Sequence, residues 1–207
     1  MHIKNQIYYH IHRNNQFSNM WYKGNKINLT TKQINNFNSY YDNYFPKIPI
    51  DNVEYPIIEA MSIINSRKLY ANEKNAEIIV NQLHSIANEL AIYMRESIFE
   101  EIRAEYFSDL PSRKSCIWLC EKESVKYWLK ALNAGSNFRI FKLELTGVIH
   151  KADQRHLKAE VLPCELIREN AFNYWTGTDG NNHEEQEILF EGIINILDEF
   201  DKIDGIL

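Results

Sequence analysis

Late in the chain the sequence reads Asn182-His183-Glu184-Glu185-Gln186-Glu187-Ile188-Leu189-Phe190-Glu191-Gly192. Acidic residues lead directly into an apolar run, which predicts a polar turn followed by a strand buried on at least one face. Strand alternation places Glu185, Glu187 and Glu191 on one face and Ile188 and Phe190 on the other. The apolar face suits the core, so we expect the carboxylates to point into a cleft or into water. A carboxylate fixed at the mouth of a buried strand suits catalysis, although an ordinary acidic turn would read the same way.

Composition limits the class of protein. The 207 residues are 44% hydrophobic, which predicts a single domain, residues 1–207, with a sizeable core. The formal net charge of −5 argues against a general nucleic-acid binder. The three cysteines form no C-x-x-C pair, so we expect no metal site and a reducing, cytoplasmic setting. No apolar run approaches membrane-spanning length, so we expect no membrane partner.

The first predicted strand covers residues 6–13, which are rich in aromatic and β-branched side chains. His10 and His12 fall on the same face of this strand. Two such histidines fit a metal pair, a ligand site or a solvated surface. Because no third ligand is evident in the sequence, we do not expect a metal here.

The middle of the chain predicts a long helical segment over residues 54–107. Apolar residues recur there at spacings of three and four, as on the core-facing side of a helix: Ile79, Leu83, Ile86, Leu90 and Tyr93. We expect this segment to form an insertion lobe that serves packing or contact with a partner.

Further elements follow after a turn at residues 109–112. Residues 113–120 predict a second strand, and residues 121–132 a short helix. A third strand is predicted over 138–149, then a charged loop over 150–156 and a short edge strand over 160–166. Together these elements predict an α+β fold.

Three of these segments, in this order, resemble the ADP-ribosyltransferase superfamily. The first is Tyr8-Tyr9-His10, where His10 matches the family histidine that holds the adenosine ribose. The second is Cys116-Ile117-Trp118-Leu119-Cys120 followed by Ser124-Val125-Lys126-Tyr127, which is similar to the Gly-Ile-Tyr-Phe-Ala and Ser-x-x-Tyr pattern of poly(ADP-ribose) polymerases. Trp118 falls on the tyrosine that stacks on nicotinamide. The third is Glu185-Gln186-Glu187, which is similar to the family's Glu-x-Glu motif.

The resemblance implies a split, mixed or antiparallel sheet of ADP-ribosyltransferase type that grips NAD in a cleft. It implies that Glu187 is catalytic, with Glu185 beside it. The residues that it implies for binding NAD are His10, Arg13, Ser112, Arg113, Trp118 and Tyr127. The sequence departs from the family in having Trp at 118, which keeps the stacking ring and loses the hydroxyl, and in lacking the Ser-Thr-Ser motif.

The function implied by the resemblance is transfer of ADP-ribose from NAD to a macromolecular acceptor, either protein or RNA or DNA. A toxin, an effector or a phage-defence protein has this activity, and an antitoxin or immunity protein is then an expected partner. Two alternatives share the fold: an inactive binding module and an NAD glycohydrolase that uses water as acceptor.

Overall fold

The chain folds as an α+β structure in which all the named strands pair antiparallel. The computed structural model describes residues 1–13, 18–29, 35–66, 73–133, 137–158, 160–177 and 185–206. Its strands are β1 (His2–Arg13), β2 (Lys26–Asn28), β3 (Lys47–Ile50), β4 (Val53–Pro56), β5 (Ile117–Leu119), β6 (Phe138–Asp153) and β7 (Gln186–Phe200). Its helices are α1 (Asn36–Asp42), α2 (Ile57–Asn65), α3 (Glu73–Tyr106), α4 (Val125–Ala131) and α5 (Cys164–Thr176). The predicted α+β class is confirmed.

Two long strands, β6 and β7, form the centre of the main sheet. Strand β6 pairs with β1 along one edge and with β7 along the other. The second edge of β7 pairs first with β5 and then with β2. The alternating apolar residues of β6 and β7 supply most of one buried cluster: Phe141, Leu143, Leu145, Ile149, Ile188, Phe190, Ile194 and Ile196. Because this face is buried, nearly every second residue along these strands is apolar, and this alternation is visible in the sequence.

The main sheet closes on itself through one residue pair. The backbone amides of Tyr9 in β1 and Cys120, directly after β5, each donate to the other's carbonyl at 2.9 Å. Because β5 also pairs with β7, it lies between β1 and β7. The three strands that carry the sequence motifs are therefore neighbours.

A pair of glycines allows β6 and β7 to approach closely at their centre. Gly147 lies opposite Gly192. A Cβ on Gly147 would lie 2.2 Å from the carbonyl oxygen of Glu191, and one on Gly192 would lie 2.5 Å from that of Thr146. Gly192 also has a φ of +147°, which L side chains rarely adopt. Glycine is required at both positions.

Helices α3 and α5 cover the face of the sheet that carries Leu189 and Ala152. The cluster between helices and sheet includes Phe99 from α3 and Tyr174 and Trp175 from α5. The indole nitrogen of Trp175 donates to the carbonyl of Phe99 at 2.7 Å, which fixes the two helices to each other. The same helices cover the face of β7 that carries Glu187.

The segment predicted to be helical over residues 54–107 is helical in α2 and α3, but it begins as a strand. Strands β3 and β4 form a hairpin whose turn residues, Asp51 and Asn52, both have positive φ. Asp and Asn tolerate that conformation in tight hairpin turns. The prolines of this region obscured the hairpin, because Pro49 and Pro56 lie within strands that have one free edge. Among the described residues, no helix is both long enough and apolar enough to cross a membrane.

Three other predicted elements are wrong in extent or type. The predicted strand 113–120 begins only at residue 117, because the amides of Ser115 and Cys116 both bond to the carbonyl of Ser112 in a turn. The predicted loop 150–156 is strand up to Asp153, since Trp175 covers His150 and Glu121 pairs with Lys151. The predicted edge strand 160–166 gives way to α5, which begins directly after a proline.

Candidate active site

The three motif residues lie on adjacent strands: His10 on β1, Trp118 on β5 and Glu187 on β7. The Nδ1 atom of His10 lies 2.8 Å from the carbonyl oxygen of Trp118. Because a carbonyl can only accept, Nδ1 carries the proton in this contact. Trp118 lies opposite Leu189 in the register of β5 and β7. Glu187 and Glu191 are therefore its two diagonal neighbours on the same face.

The imidazole of His10 lies on the other face of the sheet. It stacks on the indole of Trp21, with ring centroids 4.5 Å apart, and Trp21 packs in the cluster that contains Ile188 and Phe190. His12 stacks on the same indole at 5.0 Å. The structure thus brings His10 into contact with the backbone of β5, but it does not bring its ring beside Glu187.

Burial of these histidines keeps them neutral at neutral pH. Burial lowers the pKa of His10 to about 4, although the bond to the Trp118 carbonyl opposes this shift. Burial, together with the proximity of His10 and Arg139, lowers the pKa of His12 to about 4. Neutral imidazoles at this position suit hydrogen bonding or stacking better than charge pairing.

Glu187 is the centre of a buried polar cluster. It is 8% exposed, and its Oε2 accepts bonds from the guanidinium of Arg113 and the hydroxyl of Tyr174. The expectation that its face of β7 opens into a cleft or into water is therefore wrong at this residue. The reason is tertiary, because α3 and α5 supply a second core on that side.

Arg113 connects Glu187 to a second carboxylate. Its Nε donates to Glu96 at 2.7 Å, and Glu96 also accepts from Arg95 at 2.7 Å. Burial by itself raises the pKa of Glu96, but Arg113 and Arg95 outweigh burial and the pKa is lowered. Burial would lower the pKa of Arg113, but the charges of Glu187 and Glu96 raise it well above its usual value. Two arginines thus offset two glutamates in a site with little water.

Arg113 also brings the cluster close to the predicted stacking ring. The centre of its guanidinium lies 6.0 Å from the centroid of the half-buried Trp118 ring. The edge of Phe37 packs against the same ring, with centroids 5.8 Å apart. Trp118, Arg113 and Glu187 therefore lie together on one face of the sheet, whereas the ring of His10, which the resemblance assigns to the same cleft, lies on the other face.

Glu191 holds the turn that precedes β5. Its Oε1 accepts from the amide of Ser112 at 3.1 Å and from the hydroxyl of Ser115 at 2.5 Å. The hydroxyl of Ser112 donates to Glu100 at 2.8 Å. Ser112, which the resemblance assigns to NAD binding, is here bonded to protein carboxylates. Glu191 is half-buried, and it is the second carboxylate beside Trp118.

The remaining predicted site residues lie around this centre. Arg13 is exposed at the end of β1, and its guanidinium donates to the carbonyl of Leu132. Tyr127 on α4 accepts a bond from Gln154 through its hydroxyl. Glu185 lies immediately before β7 and is half-buried, while residues 182–184 of the same motif lie outside the described part of the chain.

Sequence reasoning missed Glu96, Arg95 and Tyr174, which complete the cluster around Glu187. The signal for Tyr174 was its place beside Trp175 in the amphipathic helix α5, which the sequence had not led us to predict. Arg95 and Glu96 are adjacent charges that are at most 9% exposed inside a long helix, and only the tertiary fold shows that they face inward. Within the described ranges, no group of three or more His, Cys, Asp or Glu side chains is arranged to hold a metal ion.

Comparison with known proteins identifies the family of the chain but no reaction. No curated protein matches it. A family model described as "Protein of unknown function (DUF2441)" matches residues 8–204, which is nearly the whole chain, so the chain belongs to the DUF2441 family.

Proposed function

We propose that the chain is an NAD-dependent ADP-ribosyltransferase that acts on a macromolecular acceptor in the cytoplasm, as a toxin, an effector or a phage-defence protein. The observation that carries the proposal is the order of strands β1, β5 and β7. The three segments that resemble the superfamily are far apart in sequence, yet β5 lies between the other two. Core packing alone would not require these three segments to lie on adjacent strands.

The proposed chemistry requires a carboxylate and a flat ring on one face. Cleavage of the bond between nicotinamide and ribose leaves the electron pair on nicotinamide and a developing positive charge on the ribose. A fixed carboxylate, Glu187 in this proposal, stabilises that charge and orients the sugar. The acceptor then attacks the ribose carbon, and a neighbouring carboxylate takes its proton. The Trp118 ring offers the stacking surface for nicotinamide.

The charged contacts of the site refine these assignments. Arg113 already binds Glu96, Glu187 and Tyr174, so it serves better to position Glu187 than to bind pyrophosphate. Arg13 is exposed, which makes it the better of the two arginines for the pyrophosphate. Glu191 is the other diagonal neighbour of Trp118 on this face, so it is the alternative catalytic carboxylate.

A second candidate function is an inactive binding module of the same fold. The enclosure of Glu187 by Arg113 and Tyr174 favours it, because a carboxylate already paired and covered is poorly placed to meet a substrate. The glycohydrolase alternative shares the proposed site and differs only in using water as the acceptor.

Release of nicotinamide from NAD, with and without cell lysate, separates the three functions. The proposal expects release that increases when lysate supplies an acceptor, with transfer of label from NAD into a product that protease or nuclease destroys. Equal release in both conditions, without labelled product, indicates the glycohydrolase. Absence of release in both conditions indicates the binding module and contradicts the proposal.

A further inference from the structure

We propose that the groove between the end of α3 and the start of α5 is a docking site for a helical segment of another protein that carries apolar residues on one side and lysines or arginines beside them. The groove is open to solvent, has a volume of about 730 Å³ and lies on the outer side of these helices. Its floor and walls include Ile102, Leu166 and Phe172. It is separate from the cluster around Glu187, so this inference does not depend on the proposed activity.

Several large apolar side chains of the groove are open to solvent. Tyr106 is 58% exposed, Phe172 is 44% exposed and Leu166 is 41% exposed. Tyr106 and Phe107 both pack edge-on against Phe172, which holds these rings in a fixed arrangement. An ordered apolar surface of this kind favours association with another apolar surface.

The charges around the groove determine the kind of partner. Glu165 and Glu169 line it on α5, and Glu101 and Glu105 flank it on α3. Arg168 is the basic residue of the lining, and it pairs with Glu101 at 3.0 Å. Carboxylates beside an apolar floor repel nucleic acid and anionic membranes, and they attract lysine and arginine.

The shape of the groove favours a helix as the bound element. It runs between two helices, and the ridges of a third helix fit such a groove in ordinary helix packing. Amphipathic helices bind to grooves of this kind through apolar residues spaced three and four apart. The chain itself has a net charge of −5, which opposes a second copy as the occupant.

The test uses a synthetic helical peptide of about 18 residues, with leucines along one side and lysines along the other. A matched peptide carries glutamate in place of every lysine. Fluorescence anisotropy should show saturable binding of the lysine peptide to the full chain, weakened by added salt. The glutamate peptide should bind at least about tenfold more weakly.

Two double variants of equal charge locate the binding. Glu165→Gln with Glu169→Gln should weaken the lysine peptide about fivefold or more, because both carboxylates line the groove. Glu59→Gln with Glu77→Gln changes the same number of exposed carboxylates on α2 and α3 away from the groove, and it should leave affinity unchanged. A third variant, Leu166→Gln, should weaken binding without changing any charge.

Several results would overturn the proposal. Equal affinity for the two peptides would show that charge does not select the partner. Equal weakening by the two double variants would mean that the peptide responds to overall charge only. Self-association of the chain through the groove, detected by sedimentation without peptide, would identify a second copy as the occupant instead.

Discussion

Arg113 is the residue whose contacts hold the candidate site together. It is 3% exposed and pairs with both Glu96 and Glu187. Removing it would leave the buried Glu187 without a counter-charge and Glu96 with Arg95 alone, and an uncompensated buried charge costs more than the ion pair contributes. The resemblance assigns Arg113 to NAD binding, whereas in the structure its guanidinium contacts protein side chains.

We expect Arg113→Met to lower the free energy of unfolding by about 3–5 kcal/mol, measured by denaturant titration. The matched control is Arg168→Met, which removes a surface arginine that pairs with Glu101 and should change the midpoint little. Similar effects of the two substitutions would show that the cluster around Glu187 is not the buried, closed network described here.

Three histidines with lowered pKa values should make stability depend on pH. Burial lowers the pKa of His10, His12 and His150 to about 4, with the bonds of His10 and His150 to backbone carbonyls opposing the shift. Histidine in an unfolded chain titrates near pH 6.5, so between about pH 6.5 and 4 the unfolded state holds more protons. Stability should therefore be full above about pH 6.5 and fall as the pH decreases towards 4.

The variant His150→Gln tests this dependence on one residue. Glutamine keeps a donor for the carbonyl of Tyr174, which His150 contacts at 3.0 Å, but it does not titrate. Denaturant midpoints measured across this pH range should decrease less steeply in the variant. A slope that the substitution leaves unchanged would contradict the assignment of His150.

Substitution of Trp118 by tyrosine distinguishes a ring that stacks on nicotinamide from a ring that only packs in the core. If its half-buried ring stacks on nicotinamide, Trp118→Ala should weaken NAD binding by about 1–3 kcal/mol, and Trp118→Tyr should weaken it less. Isothermal titration with NAD measures both. Equal losses would indicate that the ring serves packing against Phe37 and Arg113.

Among the elements, β6 and β7 depend on their central glycines. The Cβ of an alanine at 147 would meet backbone atoms of β7 that cannot move away without breaking the pairing. We expect Gly147→Ala to lower the free energy of unfolding by about 3 kcal/mol or more. Gly24 has positive φ but no atom within 4 Å of its Cβ position, so Gly24→Ala isolates the conformational cost, about 1 kcal/mol.

The test is which of the two substitutions, Gly147→Ala or Gly24→Ala, lowers the free energy of unfolding more. If Gly24→Ala destabilised the protein as much as Gly147→Ala, the close crossing of β6 and β7 would be wrong.

The elements that the sequence predicted well are those with a clear local pattern. Aromatic and β-branched residues identified β1, alternation identified β6, an apolar run identified β7, and the spacing of Ile79, Leu83 and Ile86 identified α3. The failures have local causes. Prolines obscured the β3–β4 hairpin. The polar side chains of His150 and Lys151 obscured the end of β6, although tertiary partners bury His150 and pair with Lys151. Such partners are not visible in a local pattern.

At the scale of the whole molecule, the sequence predicted which residues of β7 share a face but not which elements cover that face. Period-2 alternation assigned Glu187 and Glu191 to one face, and the structure agrees. Alternation cannot tell whether a second layer covers that face, and here α3 and α5 do so with Glu96 and Tyr174. The closure of the sheet at Tyr9 and Cys120 also depends on residues far apart in sequence.

The most direct test of the proposed function is transfer of label from NAD into lysate by the wild-type chain, Glu187→Gln and Glu191→Gln, each shown to be folded by circular dichroism. We predict that the wild-type chain transfers label and that Glu187→Gln reduces transfer about 100- to 1,000-fold, because a fixed charge is lost from the transition state. Glu191→Gln should retain most of the activity. No transfer by the wild-type chain, or normal transfer by Glu187→Gln, would contradict the proposal that Glu187 is the catalytic carboxylate. Normal transfer by Glu187→Gln together with loss in Glu191→Gln would assign that role to Glu191.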